Sequence, residues 1–171
     1  MPGSIRRIVT GQNAKGKSTI TEDTLINAIE PFGLQELWST ASVPARLDAS
    51  AEPRPVRLEP PAGGTLFRFF EIRPQEARLT TEEVTQRLDV AFAALGATHC
   101  RIDTHRHPLM HRTRTIDYLV LLRGQATLIL DEGQVHLKPL DVVVQRGTNH
   151  AWVATGSEPA LFMAVLVDGR E

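Results

Sequence analysis

The chain has few cysteines, few stacking aromatic residues and almost no net charge. Among its 171 residues Cys100 is the only cysteine, and there are one Tyr and two Trp. With a single cysteine, we expect neither an intrachain disulfide nor a cysteine-based zinc site. The shortage of Tyr and Trp argues against a platform for stacking nucleotides. The formal net charge of −1 argues against the basic surface that nucleic-acid binding requires. We therefore expect no nucleic-acid partner.

Long hydrophobic runs are also missing. The first residues, MPGSIRRIVTGQ, contain no apolar stretch of the kind that a signal peptide or a membrane span needs. We therefore expect a cytoplasmic protein without a membrane partner. A length of 171 residues is typical of one domain with a substantial core, so we predict a single domain over 1–171.

What the chain does contain is a series of short β-branched and aliphatic segments. TIDYLVLL, ATLIL, VHLK and VVV are separated by the turn sequences RGQ and DEGQ, and QRGTN leads to HAWVA. Short strands with turn signals every eight to twelve residues predict an all-β barrel or sandwich. LQELWST and TLFRFFEI are further strand candidates. LFMAVLV, at 161–167, is a continuous apolar run that is typical of a strand buried on both faces.

One segment, 80–95, has the periodicity of a helix. Apolar residues recur at three- and four-residue spacing from Val84 to Leu95, and a threonine at the start is a good cap. We expect this helix on the outside of the barrel or at a subunit contact. We assign the barrel to 61–171, and 1–60 to an N-terminal strand extension with a connection over the surface.

The segment from Gly11 to Ser18, GQNAKGKS, matches the phosphate-binding loop pattern G-x-x-x-x-G-K-[ST]. A working loop of that kind opens a helix whose N-terminus holds the phosphates. Here TITEDT follows, and its β-branched residues are poor helix formers. We favour a β-hairpin turn, in which Gly and Asn supply the turn conformation, over a nucleotide site.

Two motifs in the last third of the chain resemble those of the cupin superfamily of small β-barrels. The first family motif is H-x-H, three or four residues, Glu, six residues and Gly; His111, Thr113, Asp117 and Gly124 stand at its positions. The second motif ends P-x-G-x-x-H, and His150 stands at its final position. The resemblance implies a jelly-roll barrel of two antiparallel sheets. It also implies a homodimer in which edge strands or the N-terminal strand are exchanged.

The chain departs from the family motifs at the positions that bind metal. Cupin metal sites usually offer three His and one Glu, but Thr113 replaces one His and the shorter Asp117 replaces the Glu. Threonine is a poor ligand for a borderline metal. His111, Asp117 and His150 remain, either as ligands of a divalent ion (Zn, Fe, Mn or Ni) or as a metal-free acid–base set. The Gly-Asp turn that opens the second motif appears here as Leu140-Asp141.

Thr113, Trp152 and His107 are candidates for residues that line a substrate cavity. Trp152 has the same strand parity as His150, so a regular strand would turn both side chains to one face. His107 could replace the missing ligand if the chain curls inward before the first motif. As plain core or strand-end residues, these side chains would look the same from the sequence.

The resemblance implies two functions, and the residues leave both open. The first is an enzyme that acts on a modest organic substrate, aromatic or polyketide-like, inside the barrel, as an oxygenase, an isomerase or cyclase, or a lyase. The second is a non-catalytic barrel that binds or senses a small ligand.

Overall fold

The computed structural model describes residues 3–49, 54–74 and 80–170. Its strands, in chain order, are β1 (Ser4–Gln12), β2 (Ser18–Asn27), β3 (Leu34–Thr40), β4 (Thr65–Ile72), β5 (Thr115–Arg123), β6 (Ala126–Leu130), β7 (Gln134–Leu137), β8 (Val142–Arg146), β9 (His150–Ala154) and β10 (Ala160–Asp168). One α-helix, α1 (Thr81–Ala94), and a 3₁₀ turn, Thr98–Cys100, lie between β4 and β5. Within these residues, no helix has the length and apolar character that crossing a membrane requires.

The strands form a hairpin and two larger sheets, and all pairs are antiparallel. β1 pairs with β2, the five-stranded sheet has the order β3-β4-β10-β5-β8, and the three-stranded sheet has the order β7-β6-β9. Side chains from both larger sheets meet in one core, which includes Leu66, Leu121, Leu128, Trp152 and Phe162. This arrangement confirms the predicted all-β jelly-roll fold.

The five-stranded sheet buries one face and leaves the other partly open. On β10, Phe162 and Ala164 are fully buried, whereas Met163 and Val165, which alternate with them, are only half-buried. The prediction that this strand is buried on both faces was therefore wrong. The strand is apolar throughout because its outer face also carries apolar side chains, and these remain partly exposed to solvent.

The segment that matches the phosphate-binding loop is a hairpin turn. Ser4 pairs with Asn27 at the open end of β1 and β2, and the turn lies between Gln12 and Ser18. The Asn13 side chain accepts hydrogen bonds from the backbone N–H groups of Lys15 and Lys17. Strand β2 follows the turn at the place where a phosphate-binding loop would open a helix, so the predicted hairpin is confirmed.

Helix α1 begins with a reciprocal cap and packs on the edge of the five-stranded sheet. The Thr80 hydroxyl accepts a hydrogen bond from the Glu83 backbone N–H, and the Glu83 carboxylate accepts one from the Thr80 backbone N–H. Phe92 and Leu95 pack in a second apolar cluster with Leu34 of β3. The helix thus closes one side of the space between the sheets.

Candidate functional site

Strand β5 turns every second side chain into the barrel. Thr115, Asp117 and Leu119 are buried, while Ile116 and Tyr118 between them are exposed. This alternation gives Asp117 only 6% exposure. Its Oδ1 atom is buried and has no hydrogen-bond partner within the described residues. A polar atom in that condition is the kind of group that a ligand or a water molecule would satisfy.

Burial raises the pKa of Asp117 from its ordinary value of 3.8 to about 6. A hydrogen bond with Thr115 and the positive charge of Arg68 act in the opposite direction, and the charge of Glu59 adds to the rise. A carboxyl group with a pKa this close to neutrality can both donate and accept a proton under ordinary conditions. That property is typical of a general acid or base.

His111 and His150 face each other across an isolated antiparallel bridge. The N–H of each residue donates to the carbonyl oxygen of the other, at 2.9 Å in both directions. Directly opposed residues in antiparallel strands project their side chains on the same face. The two imidazole centroids are consequently only 4.4 Å apart. Trp152, at 5.7 Å from the His150 ring, continues this aromatic wall.

The hydrogen bonds of the two imidazoles fix which nitrogen atoms are available. Nδ1 of His111 is 2.9 Å from the carbonyl oxygen of Leu109, and Nδ1 of His150 is 2.9 Å from that of Thr148. Because a carbonyl oxygen only accepts, each Nδ1 carries the hydrogen, and each Nε2 of the neutral ring keeps its lone pair. Burial lowers the pKa of His111, and burial together with the His111 ring lowers that of His150 to about 3. Both rings are therefore neutral at physiological pH.

The carboxyl group and the two imidazoles line one cavity of about 440 Å³. Most of its wall is apolar, with contributions from Phe32, Leu58, Phe70, Leu119, Trp152 and Leu166. Thr113 and Trp152, both predicted as lining residues, lie on this wall. Val84 and Leu88 of α1 also line the cavity. The helix, which was expected on the outside of the barrel or at a subunit contact, therefore contributes to the candidate site.

His107 lies outside this cavity. It is half-buried in the turn before the barrel, and its Nδ1 accepts a hydrogen bond from the backbone N–H of Leu109 at 3.1 Å. The residue is not among those that line the cavity. Its ring stabilises the turn before His111. His107 therefore does not replace the imidazole that is missing at position 113, as the sequence had suggested.

The structure brings together two of the three predicted metal ligands. The ligand atoms of His111, Asp117 and His150 do not all lie within 4.8 Å of one another; among the described residues, only Glu59, His99 and Cys100 form a group that close. The two imidazole rings are adjacent, but with the carboxyl group of Asp117 they do not form one compact set of ligand atoms.

Sequence reasoning missed Arg68, which lines the cavity on β4. It is 2% exposed and donates to Glu36 at 3.0 Å and to the carbonyl oxygen of Arg57 at 2.6 Å. Burial lowers its pKa to about 10, although the charge of Glu36 opposes this. The signal was present in TLFRFFEI, because Arg68 has the same parity as the buried Leu66.

Comparison with known proteins identifies the family of this barrel. No family model matches the chain. The cupin-domain-containing oxidoreductase virC of Hypocrea virens is 38% identical over 173 residues, and the match covers 98% of this chain and 78% of that protein. The chain belongs to the cupin superfamily. This confirms the resemblance carried by the two motifs.

Other relatives match over shorter stretches. Phomopsin biosynthesis cluster protein C' of Diaporthe leptostromiformis is 60% identical over 45 residues, which is 26% of this cupin and 24% of that protein. The match thus spans about a quarter of the length of that relative. Among solved structures, a cupin 2 domain-containing protein from Halorhodospira halophila is 20% identical, with coverage of 98% and 80% of the two chains and a TM-score of 0.44.

Proposed function

We propose that this cupin is an enzyme that acts on a small organic molecule held between its two sheets. One observation carries the proposal: a mostly apolar cavity of about 440 Å³ has a buried carboxyl group with an unpartnered oxygen and two neutral imidazoles on its wall. Cavities of this size and character are typical of sites for small ligands. The oxidoreductase and biosynthesis-cluster names of its relatives support a small-molecule substrate.

The lining favours an aromatic or polyketide-like substrate with one polar end. Trp152 and Phe70 supply flat apolar surface. Asp117, His111 and His150 belong to the polar part of the wall, to which Arg68 and Thr113 also contribute. An apolar body would bury its surface against the rings. A carbonyl or hydroxyl group would then meet the polar residues, since leaving them unpaired against an apolar substrate carries a desolvation cost.

Asp117 is proposed as the group that moves a proton. Its pKa of about 6 makes both of its protonation states accessible near neutral pH. Oδ1, which has no partner among the described residues, is the atom that would take a proton from the substrate or return one. A positioned acid or base of this kind typically contributes about 10²- to 10⁴-fold to a rate.

His111 and His150 are proposed as the residues that would hold a divalent metal ion. Each donates its Nδ1–H to a backbone carbonyl and leaves Nε2 for a ligand, which is the arrangement of most metal-binding histidines. A bound ion would supply Lewis acidity, and iron or manganese would add the redox chemistry that zinc lacks. Without an ion, the same Nε2 atoms accept hydrogen bonds from a substrate hydroxyl group.

The experiment compares binding with turnover for the wild type and Asp117→Asn. Aromatic and polyketide-like carbonyl compounds are screened by quenching of tryptophan fluorescence, and the compounds that bind are followed by mass spectrometry. We expect conversion by the wild type, and conversion slower by about a hundredfold in the variant with binding retained. Binding without conversion by the wild type would overturn the enzymatic proposal in favour of a cupin that binds or senses a small ligand.

A further inference from the structure

A second group of metal-binding side chains lies outside the cavity. Glu59 belongs to the connection before β4, and His99 and Cys100 belong to the 3₁₀ turn after α1. Their ligand atoms all lie within 4.8 Å of one another. Nε2 of His99 is 2.8 Å from Oε2 of Glu59 and 3.5 Å from Sγ of Cys100. None of the three residues lines the cavity.

We propose that Glu59, His99 and Cys100 bind a zinc ion at a site separate from the barrel cavity. A carboxylate oxygen, an imidazole nitrogen and a sulfur atom are the three ligand types that Zn²⁺ uses in proteins. This residue set matches that chemistry without any contribution from His111 or His150.

The distances fit tetrahedral zinc with a small adjustment. Bonds of about 2.05 Å to nitrogen and 2.3 Å to sulfur place those two ligands about 3.6 Å apart at a tetrahedral angle. The observed separation between His99 and Cys100 is 3.5 Å. Nitrogen and oxygen ligands would be about 3.3 Å apart by the same geometry. The 2.8 Å contact between His99 and Glu59 therefore has to open by about 0.5 Å, within the range of side-chain rotation at the surface.

Neighbouring backbone groups hold the ligands in this arrangement. Oε1 of Glu59 accepts a hydrogen bond from the Arg114 backbone N–H at 3.1 Å, which leaves Oε2 to face His99. The Cys100 carbonyl oxygen accepts one from the Arg112 backbone N–H at 2.8 Å, and the Cys100 side chain is buried beside Phe92. Partners of this kind orient ligands in metal sites.

The exposure of His99 defines the open side of the site. Its side chain is 66% exposed, so a fourth position next to it faces solvent and would be filled by water. The alternative use of Cys100 as a nucleophile is disfavoured, because its side chain is buried. The ion would tie the connection before β4 to the turn after α1, beside the helix that closes the cavity.

Cobalt is the probe for this site, because Co²⁺ takes zinc positions and absorbs light when it is bound by thiolate. The full chain is reduced, freed of metal and titrated with CoCl₂. Cys100 is the only cysteine of the chain, so a thiolate-to-cobalt charge-transfer band can arise only there. A cobalt ion bound by His111 and His150 gives no such band. The band therefore reports on the Cys100 site alone, whether or not the barrel site binds metal.

We expect one equivalent of Co²⁺ to produce the band, and added ZnCl₂ to displace it. Cys100→Ser should abolish the band, and the exposed substitution His99→Ala should weaken Co²⁺ binding by at least about tenfold without disturbing the core. His150→Ala should leave the band unchanged. Absence of the band in the wild type, or a band of equal affinity in His99→Ala, would overturn the proposal. The His99→Ala result decides the matter even if Cys100→Ser fails to fold.

Discussion

Replacing Asp117 with Asn should make the protein more stable at neutral pH. The pKa of this carboxyl group is raised from 3.8 to about 6 by burial. One pKa unit corresponds to about 1.4 kcal/mol, so keeping Asp117 ionised in the native state costs about 3 kcal/mol above about pH 7. Asn has nearly the same shape and carries no charge. The substitution removes that cost while it removes the proposed proton carrier.

The sign of the pH dependence follows from the direction of the shift. A carboxyl group whose pKa is higher in the native state binds its proton more tightly there. Its stabilising contribution is complete below about pH 4 and is lost as the pH rises through about 6. His111 and His150 act in the opposite direction, because their pKa values are lowered and their contribution is lost as the pH falls. Both proteins share the histidines, so the difference between them isolates Asp117.

The measurement is urea unfolding of the wild type and Asp117→Asn at several values between about pH 4 and about pH 8. The variant should gain about 3 kcal/mol in free energy of unfolding relative to the wild type across this interval. Glu132→Gln, in an exposed turn, is the control and should show no comparable change. A difference between wild type and Asp117→Asn that stays constant with pH would refute the reasoning, since Asp117 would then titrate as an ordinary surface carboxyl group.

Three further predictions concern other parts of the structure. Wild-type protein purified without chelator should contain a first-row metal ion in the barrel, and the His150→Ala variant should lack it. Elemental analysis measures both, and retention of all metal in the variant would contradict the proposed metal-binding role of His150. Leu140, which stands where the family motif has Gly, is 77% exposed and has a φ of 75°, a backbone conformation that is strained for any residue with a side chain. Leu140→Gly should therefore raise the free energy of unfolding by about 1 kcal/mol, and Leu140→Ala should not. Equal effects of the two substitutions would mean that the exposed leucine side chain, and not the backbone conformation, is responsible. The chain should form a homodimer through the outer face of β5 and β8, where Tyr118 is 50% exposed. Tyr118→Arg should therefore yield a monomer in sedimentation experiments. Leu25→Arg on the N-terminal hairpin is the matched control, and dissociation of the dimer by that variant alone would place the contact on the hairpin.

Alternation along the chain was enough to predict most strands. LQELWST and TLFRFFEI coincide with β3 and β4, and the helix predicted over 80–95 begins and ends within one residue of α1. These elements follow from local periodicity, which the sequence contains in full. The placement of Asp117 inside the barrel came from the family motif and not from local periodicity. Local periodicity does not show which faces of a sheet other elements pack against. For this reason β10 was expected to be buried on both faces.

The candidate site depends on pairings between distant segments, and here the sequence motif was a partial guide. The adjacency of His111 and His150 comes from a backbone bridge that forms only when β9 meets the segment before β5. Nothing in the residues between them specifies that contact by period or spacing. The same is true of Glu59, which reaches His99 because the connection before β4 passes beside the 3₁₀ turn. Long-range contacts of this kind become visible only in the folded chain.

The departures from the family motif have a physical explanation in the folded structure. Thr113, which stands where the family has its second His, is buried, and its hydroxyl group is 2.8 Å from the hydroxyl group of Thr115. Thr115 in turn has a hydrogen bond with Asp117. The position that would otherwise carry a third imidazole thus belongs to a chain of hydrogen bonds that ends at the carboxyl group. Because this chain of hydrogen bonds holds Asp117, and Asp117 does not form one compact group with the paired imidazoles, we expect proton transfer and metal binding to be separable by mutation. His150→Ala should remove the metal ion and leave the pH dependence contributed by Asp117 intact.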